Sequence, residues 1–296
     1  MRRLAAPLLV VLVAVVAGGC SSRPASARLT VVTTTTQLTD FAKVVGGRYV
    51  TVYGVLKANV DPHDYEPTPA DLKAMGSAAV ILENGVGLEK WFAATINSAH
   101  PKGAIVDTST GVTIRGRGTA RDPHMWHNPQ NAKIMVAAVT RALVAADGAH
   151  TNEYRAAERA YGAQLDALDR EIAAKIAALP NKKLVTNHDA FEYYTSHFGL
   201  DFVGAVIPSF DTQADLSSAD VASLVAKIKA AGVKAVFSES SLPAKTARSI
   251  ASDAHVKVVQ GSDALYGDTL GPPGSAADTY LKMERHNTEV IVDNLT

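Results

Sequence analysis

The sequence predicts an α/β protein of two lobes, each a parallel sheet flanked by helices, joined by one long rigid linker helix with the ligand site in the inter-lobe cleft. Three observations predict it. Short apolar runs alternate with helical segments across residues 29–148, the pattern of a parallel sheet covered on both faces. The same alternation restarts at residue 181 and continues to 296. Between the two, within 149–180, the segment Thr151–Leu179 has no proline and one glycine, Gly162. Its apolar residues Tyr154, Tyr161, Leu165, Leu168, Ile172, Ile176 and Leu179 fall on one helical stripe. Such a helix is roughly 40 Å long at 1.5 Å per residue, enough to span a domain rather than pack inside one.

In the first lobe, Leu29–Thr33 reads as a buried strand and Gln37–Val45 as the helix that follows it. Tyr49–Leu56 is the second strand. Thr68-Pro69 opens a helix, because Thr caps, Pro suits the first turn and Asp71 complements the N-terminal dipole. Ala78–Leu82 and Ala104–Val106 are strands on either side of a helix expected over Leu88–Ser98, and Asn128-Pro129 starts a helix running to about Ala146. On the long helix, Asp166 with Arg170 and Glu171 with Lys175 are spaced as i,i+4 ion pairs. In the second lobe the strands are Lys183–Thr186, Phe202–Ile207, Ala235–Ser238 and Lys257–Val259. Helices are expected over Ala190–Phe198, after Ser217-Ser218, between the last two strands, and over Asp278–Asn294. No sequence repeat links the lobes.

The N-terminus addresses the chain to the outside of a cell. Arg2-Arg3 and the apolar run Leu4–Ala17 read as a signal peptide over 1–19, shorter than the roughly 20 apolar residues a spanning helix needs. It ends in Ala17-Gly18-Gly19-Cys20, which resembles a bacterial lipobox and implies lipidation at Cys20, followed by a flexible tether over 20–28. Cys20 is the only cysteine, which excludes an internal disulfide framework and a cysteine-rich zinc site. The 29 basic and 29 acidic residues give no basic surface for nucleic acid. Gly85-Val86-Gly87 and Gly116-Arg117-Gly118 lack the third glycine and context of a phosphate cradle and read as turns.

Four polar segments sit at loop-to-helix junctions or after strand-like runs, and α/β sheets bind ligands beyond the carboxyl ends of their strands. Asp-Pro-His occurs twice, as Asp61-Pro62-His63 and Asp122-Pro123-His124. Asn187-His188-Asp189 follows a strand, and Gly267-Asp268 lies in a Gly/Pro-rich loop. Three imidazoles and a carboxylate are a four-coordinate ligand set of the kind zinc favours. His127 is three residues after His124, and spacing alone does not choose between them. Asp61, Asp122 and Asp189 are near enough in sequence to accept the second N–H of an imidazole. Asp189 also fits as a helix cap, its preferred role here.

These segments resemble the solute-binding proteins of zinc and manganese ABC importers. Asp-Pro-His-x-Tyr-Glu-Pro at 61–67, Asp-Pro-His-x-Trp at 122–126, His-Asp-Ala-Phe-x-Tyr at 188–193 and Gly-Asp-x-Leu-Gly at 267–271 carry the resemblance, which spans about 29–296. It implies His63, His124, His188 and Asp268 as metal ligands, choosing His124 over His127. Glu239, in Phe237-Ser238-Glu239, is implied as a supporting residue rather than a ligand. It further implies a monomeric, lipid-anchored protein in the cell envelope, outside the cytoplasmic membrane or in the periplasm, that passes metal to a permease served by a separate ATPase. Two departures stand out. Gly111–Gly118 is short and basic where many zinc-specific members carry a long His-rich loop. His127 replaces an apolar residue, and is read as a surface histidine with a transient metal-transfer ligand as the alternative. Manganese-type members have a carboxylate at the position of His188, so Zn²⁺ is the expected cargo and Mn²⁺ the alternative. Two ligands are expected from each lobe, and affinity is expected to fall below roughly pH 6, where ordinary histidines protonate. A zinc hydrolase is the rival class, with Glu66 its only plausible base. A metal-containing adhesin is a third.

Overall fold

The computed structural model describes residues 28–118 and 120–296; the signal segment, Cys20 and most of the tether lie outside them. Strand β1 (Leu29–Thr33) is central to the first sheet, and its Val31 and Val32 are both buried although they point to opposite faces. Burial on both faces is what helices packed on either side of a parallel sheet impose. With β2 (Val50–Gly54), β3 (Val80–Glu83) and β4 (Ala104–Asp107) it forms an all-parallel sheet of order β2-β1-β3-β4.

Several helix starts have a local cause. Thr35 caps α1 (Thr36–Gly46), its hydroxyl accepting from the Leu38 N–H at 3.3 Å. Helix α2 (Pro69–Ser77) has the expected proline at its start and a reciprocal capping box between Thr68 and Asp71. Asp71 also accepts from Tyr53 and Tyr65 hydroxyls, both at 2.8 Å, which ties the loop carrying His63 to the helix start. Thr68→Ala is expected to lower stability by about 1 kcal/mol, seen as a reduced denaturant midpoint at unchanged slope.

Helix α3 (Phe92–Ala99) starts four residues later than expected. The cause is Glu89, whose buried carboxylate accepts from the Asn84 N–H at 2.8 Å, the Gly85 N–H at 3.3 Å and the Thr34 hydroxyl at 2.5 Å. A side chain folded back onto the preceding turn organises residues 84–91 as a loop. A small hairpin, β5 (Gly116–Arg117) with β6 (Ala120–Arg121), follows β4 and was not expected.

Asn128 caps α4 (Pro129–Ala146) by accepting from Gln130 N–H at 2.9 Å. The long helix α5 (Thr151–Ala177) has 27 residues and buries Tyr154, Tyr161, Leu165, Leu168, Ile172 and Ile176, the predicted stripe. The Glu171–Lys175 pair forms at 3.2 Å. Asp166 pairs not with Arg170 but with Lys133 of α4 at 2.7 Å, because α4 packs along this face of α5.

The second lobe contains β7 (Lys183–His188), α6 (Glu192–Phe198), β8 (Asp201–Ile207), α7 (Ser218–Ala231), β9 (Ala235–Phe237), α8 (Lys245–Ala254), β10 (Lys257–Val259) and α9 (Tyr280–Leu295). Strands β7 and β8 pair in parallel, as do β9 and β10, and β7 lies beside β9. The resulting order β8-β7-β9-β10 repeats the connectivity of the first sheet, although no sequence repeat is visible. Each lobe has an outer core, one around Val32, Met75 and Ile81 and the other around Val185, Leu224 and Ile250. A third cluster joins the lobes through α5 and α9, and includes Phe41, Trp126, Tyr161, Phe191, Phe237 and Tyr280. Among the described residues no helix is long and apolar enough to cross a membrane.

Candidate metal centre

The two Asp-Pro-His tripeptides perform the same local task. In each, the Asp Oδ1 accepts the backbone N–H of the histidine two residues on, at 2.8 Å for Asp61 with His63 and 2.9 Å for Asp122 with His124. The intervening proline fixes its own φ, so the turn presents the imidazole in one direction. His63 comes from the loop after β2 and His124 from the loop after β4. His188 ends β7, and Asp268 lies in the loop after β10. All four therefore lie beyond the carboxyl ends of strands, His63 at 7 % exposure and the other three fully buried.

The four converge. Nε2 of His124 is 3.4 Å from Nε2 of His63 and 3.3 Å from that of His188. Asp268 Oδ1 is 3.3 Å from His124 Nε2, and its Oδ2 is 3.4 Å from His188 Nε2 and 3.8 Å from His63 Nε2. Bonds of about 2.0–2.1 Å place the ligand atoms of a tetrahedral zinc ion about 3.3 Å apart, and four of these five separations match within 0.1 Å.

The outer ring nitrogens are held as metal-site imidazoles require. His124 Nδ1 donates to Asp122 Oδ1 at 2.8 Å, and His188 Nδ1 to Glu239 Oε1 at 2.9 Å. His63 Nδ1 faces Asp211 at 4.0 Å. With the Nδ1 hydrogens of His124 and His188 committed outward, the three Nε2 atoms converge on a buried carboxylate whose two oxygens have no hydrogen-bond partner of good geometry. Positive charge, from a metal ion or from protons on the imidazoles, is needed to balance the buried carboxylate. Gly267 is needed beside it, since a Cβ there would overlap Glu239 Oε2.

Titration behaviour reflects this crowding. Burial drives His63 down to about 3. Burial acts the same way on His124, but the carboxylates of Asp122 and Asp268 outweigh it and lift the imidazole to about 9. His188 is raised well above its ordinary value, Glu239 and Asp268 overcoming its burial. Asp268 is held well below the usual carboxylate range, His188 and His124 overcoming its own burial.

Several expectations change. His127 is not on the surface but fully buried, its Nδ1 2.9 Å from Glu284 Oε1 and its Nε2 2.8 Å from the Gly267 carbonyl. Both ring nitrogens are engaged, which leaves none for metal transfer. The residues Met125–His127 form a 3₁₀ turn that ends at extended Asn128, so His124 and His127 face different ways. Asp189 neither orients an imidazole nor caps α6. The residue before that helix is Phe191, and Asp189 uses its backbone N–H on the Ser209 carbonyl. Asp61 orients the His63 backbone, not its ring, and its Oδ2 accepts from Thr212 at 2.6 Å. Glu66 is exposed and outside the ligand cluster, which removes the only base for a hydrolase.

Asp211, which forms an ion pair with Lys90 across the cleft, was missed. The signal for it is positional, for the loop after β8 occupies in the second lobe the place that the His63 loop, after β2, has in the first. The two-and-two division of ligands also changes mechanically. The loop bearing Asp268 belongs to the second lobe in sequence but docks on the first. Gln37 Nε2 donates to the Asp268 carbonyl at 3.0 Å, the Asn59 N–H to Thr269 Oγ1 at 3.0 Å, and Leu270 N–H to Thr36 Oγ1 at 2.8 Å.

Two α/β lobes braced by one long helix, closing a buried three-histidine, one-aspartate cluster at their facing strand ends, define a metal-binding protein of the two-lobed periplasmic type. Residues 31–294 match the family described as zinc-uptake complex component A, periplasmic, and the chain belongs to that family. Among its relatives, the zinc-binding protein TroA of Treponema pallidum is 31% identical over 93% of this chain and 91% of its own length. The manganese ABC transporter substrate-binding lipoprotein PsaA of Streptococcus pneumoniae is 27% identical over 94% and 92%. The iron ABC transporter substrate-binding lipoprotein MtsA of Streptococcus pyogenes is 28% identical over 91% and 90%. The solved structure of TroA superposes with a TM-score of 0.86 at 29% identity, covering 91% of this chain and all of TroA. The chain is thus the extracytoplasmic substrate-binding component of a metal ABC importer, working with a permease and an ATPase, and not an enzyme.

Proposed function

We propose that this protein captures Zn²⁺ with His63, His124, His188 and Asp268 and delivers it to the permease of its importer. The observation that carries this reading is the cluster of three Nε2 atoms around the buried, otherwise unpartnered Asp268 carboxylate. Three imidazoles and one carboxylate are a borderline-soft set suited to zinc, and the absent fourth imidazole or thiolate keeps the site from being purely soft. One feature supports Mn²⁺ as the second reading. Asp268 directs one oxygen to His124 and the other to His63 and His188, so it can bind through both oxygens and raise the coordination number. The organisation proposed with this function is a leader over 1–19, a lipid-anchored tether over 20–28 starting at Cys20, lobes over 29–148 and 181–296, and a linker over 149–180, acting as a monomer.

The test is a competition between Zn²⁺ and Mn²⁺ for metal-free protein, read by calorimetry and by elemental analysis of the recovered complex. Zinc is expected to be retained with one equivalent bound. Retention of manganese in the presence of equal zinc would overturn the metal assignment.

A further inference from the structure

Taking Asp268 as a metal ligand, we propose that the buried His127–Glu284 pair is a positioning device that sets the direction of the Asp268 carboxylate. The carbonyl of Gly267, one peptide bond before Asp268, accepts two hydrogen bonds from a single 3₁₀ turn of the first lobe. Trp126 Nε1 donates at 3.1 Å and His127 Nε2 at 2.8 Å. A carbonyl can only accept, so Nε2 carries a hydrogen. Nδ1 then lies 2.9 Å from Glu284 Oε1, and a hydrogen must lie between those two atoms as well. Whichever atom holds that hydrogen, the pair as a whole is neutral, which is how a carboxylate on α9 and an imidazole are both tolerated at zero exposure.

The pair does more than fill space. An apolar side chain at 127 would pack equally well but would leave the Gly267 carbonyl with the Trp126 bond alone. The His127 ring also stacks on Phe191, with centroids 4.4 Å apart, three residues beyond His188. One imidazole thus touches the peptide that leads into Asp268, the segment that follows His188, and, through Glu284, the helix α9 that closes the chain. With the Gln37 bond on the other side of Asp268, both peptide carbonyls flanking the carboxylate's Cα are fixed by the first lobe. The Cα from which the carboxylate projects is thereby held in place by a residue that never meets the ion.

The test uses His127→Leu/Glu284→Met, which replaces the pair by apolar groups of similar volume and avoids leaving a buried carboxylate unpaired. Thermal unfolding of the metal-free variant checks that it folds. Zinc affinity is expected to fall roughly 10- to 100-fold, and the visible absorption of the Co²⁺-loaded form, which reports coordination geometry, is expected to shift. Glu284→Gln keeps a hydrogen-bonding group on Nδ1 and is expected to retain affinity within roughly threefold, well short of the loss that removal of an outer partner causes. Wild-type affinity and an unchanged Co²⁺ spectrum in the folded double variant would overturn the proposal, as would Glu284→Gln falling as far as the double variant. Asp268→Asn, measured alongside, separates the two levels. Undiminished zinc binding there would instead overturn Asp268 as a ligand.

Discussion

His124→Ala is expected to abolish high-affinity metal binding, with a loss larger than the roughly 10- to 100-fold that removal of an outer hydrogen-bond partner causes. His124 is the hub of the cluster. Its Nε2 lies 3.3–3.4 Å from His63, His188 and Asp268 alike, whereas His63 reaches Asp268 only at 3.8 Å. The substitution also takes from Asp122 its ring partner, leaving Oδ1 with the backbone N–H of residue 124 and Oδ2 with none. Loss of affinity should therefore come with a modest loss of stability, since a buried carboxylate that loses a hydrogen-bond partner is costly. Isothermal titration with Zn²⁺ gives the first quantity and thermal unfolding of the metal-free form the second. His127→Ala is the control for the choice between the neighbours. It should keep one zinc equivalent at weakened affinity, and a complete loss there with retention in His124→Ala would reverse the assignment.

How much of this was legible in the sequence depended on whether the determinant is local. Helix α5 was legible because a stripe of large apolar residues has one period over 27 positions. The start of α2 was legible because Thr68, Pro69 and Asp71 each act within one turn. The start of α3 was not, since the buried carboxylate of Glu89 folds back onto residues 84 and 85, and no periodicity encodes a side chain reversing on its own loop. The four clustered residues stood out through motif resemblance, and Asp-Pro-His has a physical reason in its Asp-to-histidine turn. What supports them did not stand out. Glu284, Gln37 and Asp211 lie at sequence separations of 157, 231 and 148 residues from the groups they face. A histidine between a motif and a proline reads as solvated, whereas the burial of His127 is decided by α9 and Phe191, both remote in sequence.

Zinc binding at pH 7 is expected to release about two protons per ion, and affinity to climb by roughly 100-fold per pH unit between pH 7 and 8. The sign follows from the two raised imidazoles. His124 titrates at about 9 and His188 well above its ordinary value, so both hold a proton in the metal-free site at neutral pH, balanced by ionised Asp268. A metal ion must displace both, and competition fades only as pH rises toward 9. His63, at about 3, holds no proton in this range and adds nothing. This moves the pH dependence above the pH 6 that ordinary histidines imply, because the carboxylates that orient the imidazoles also make them more basic. The same linkage predicts the stability of the metal-free protein. A group raised on folding stabilises fully below its unfolded value of about 6.5, and that contribution is lost as pH rises through about 9 for His124. Metal-free protein should therefore unfold at lower temperature at pH 9.5 than at pH 7, while the zinc-loaded protein, in which the ion replaces the protons, should not. Calorimetry at pH 7 in two buffers of different ionisation enthalpy counts the released protons directly. Release of fewer than one would mean that the imidazoles are already neutral before metal arrives, and that the site is held together in the metal-free state by something other than protons.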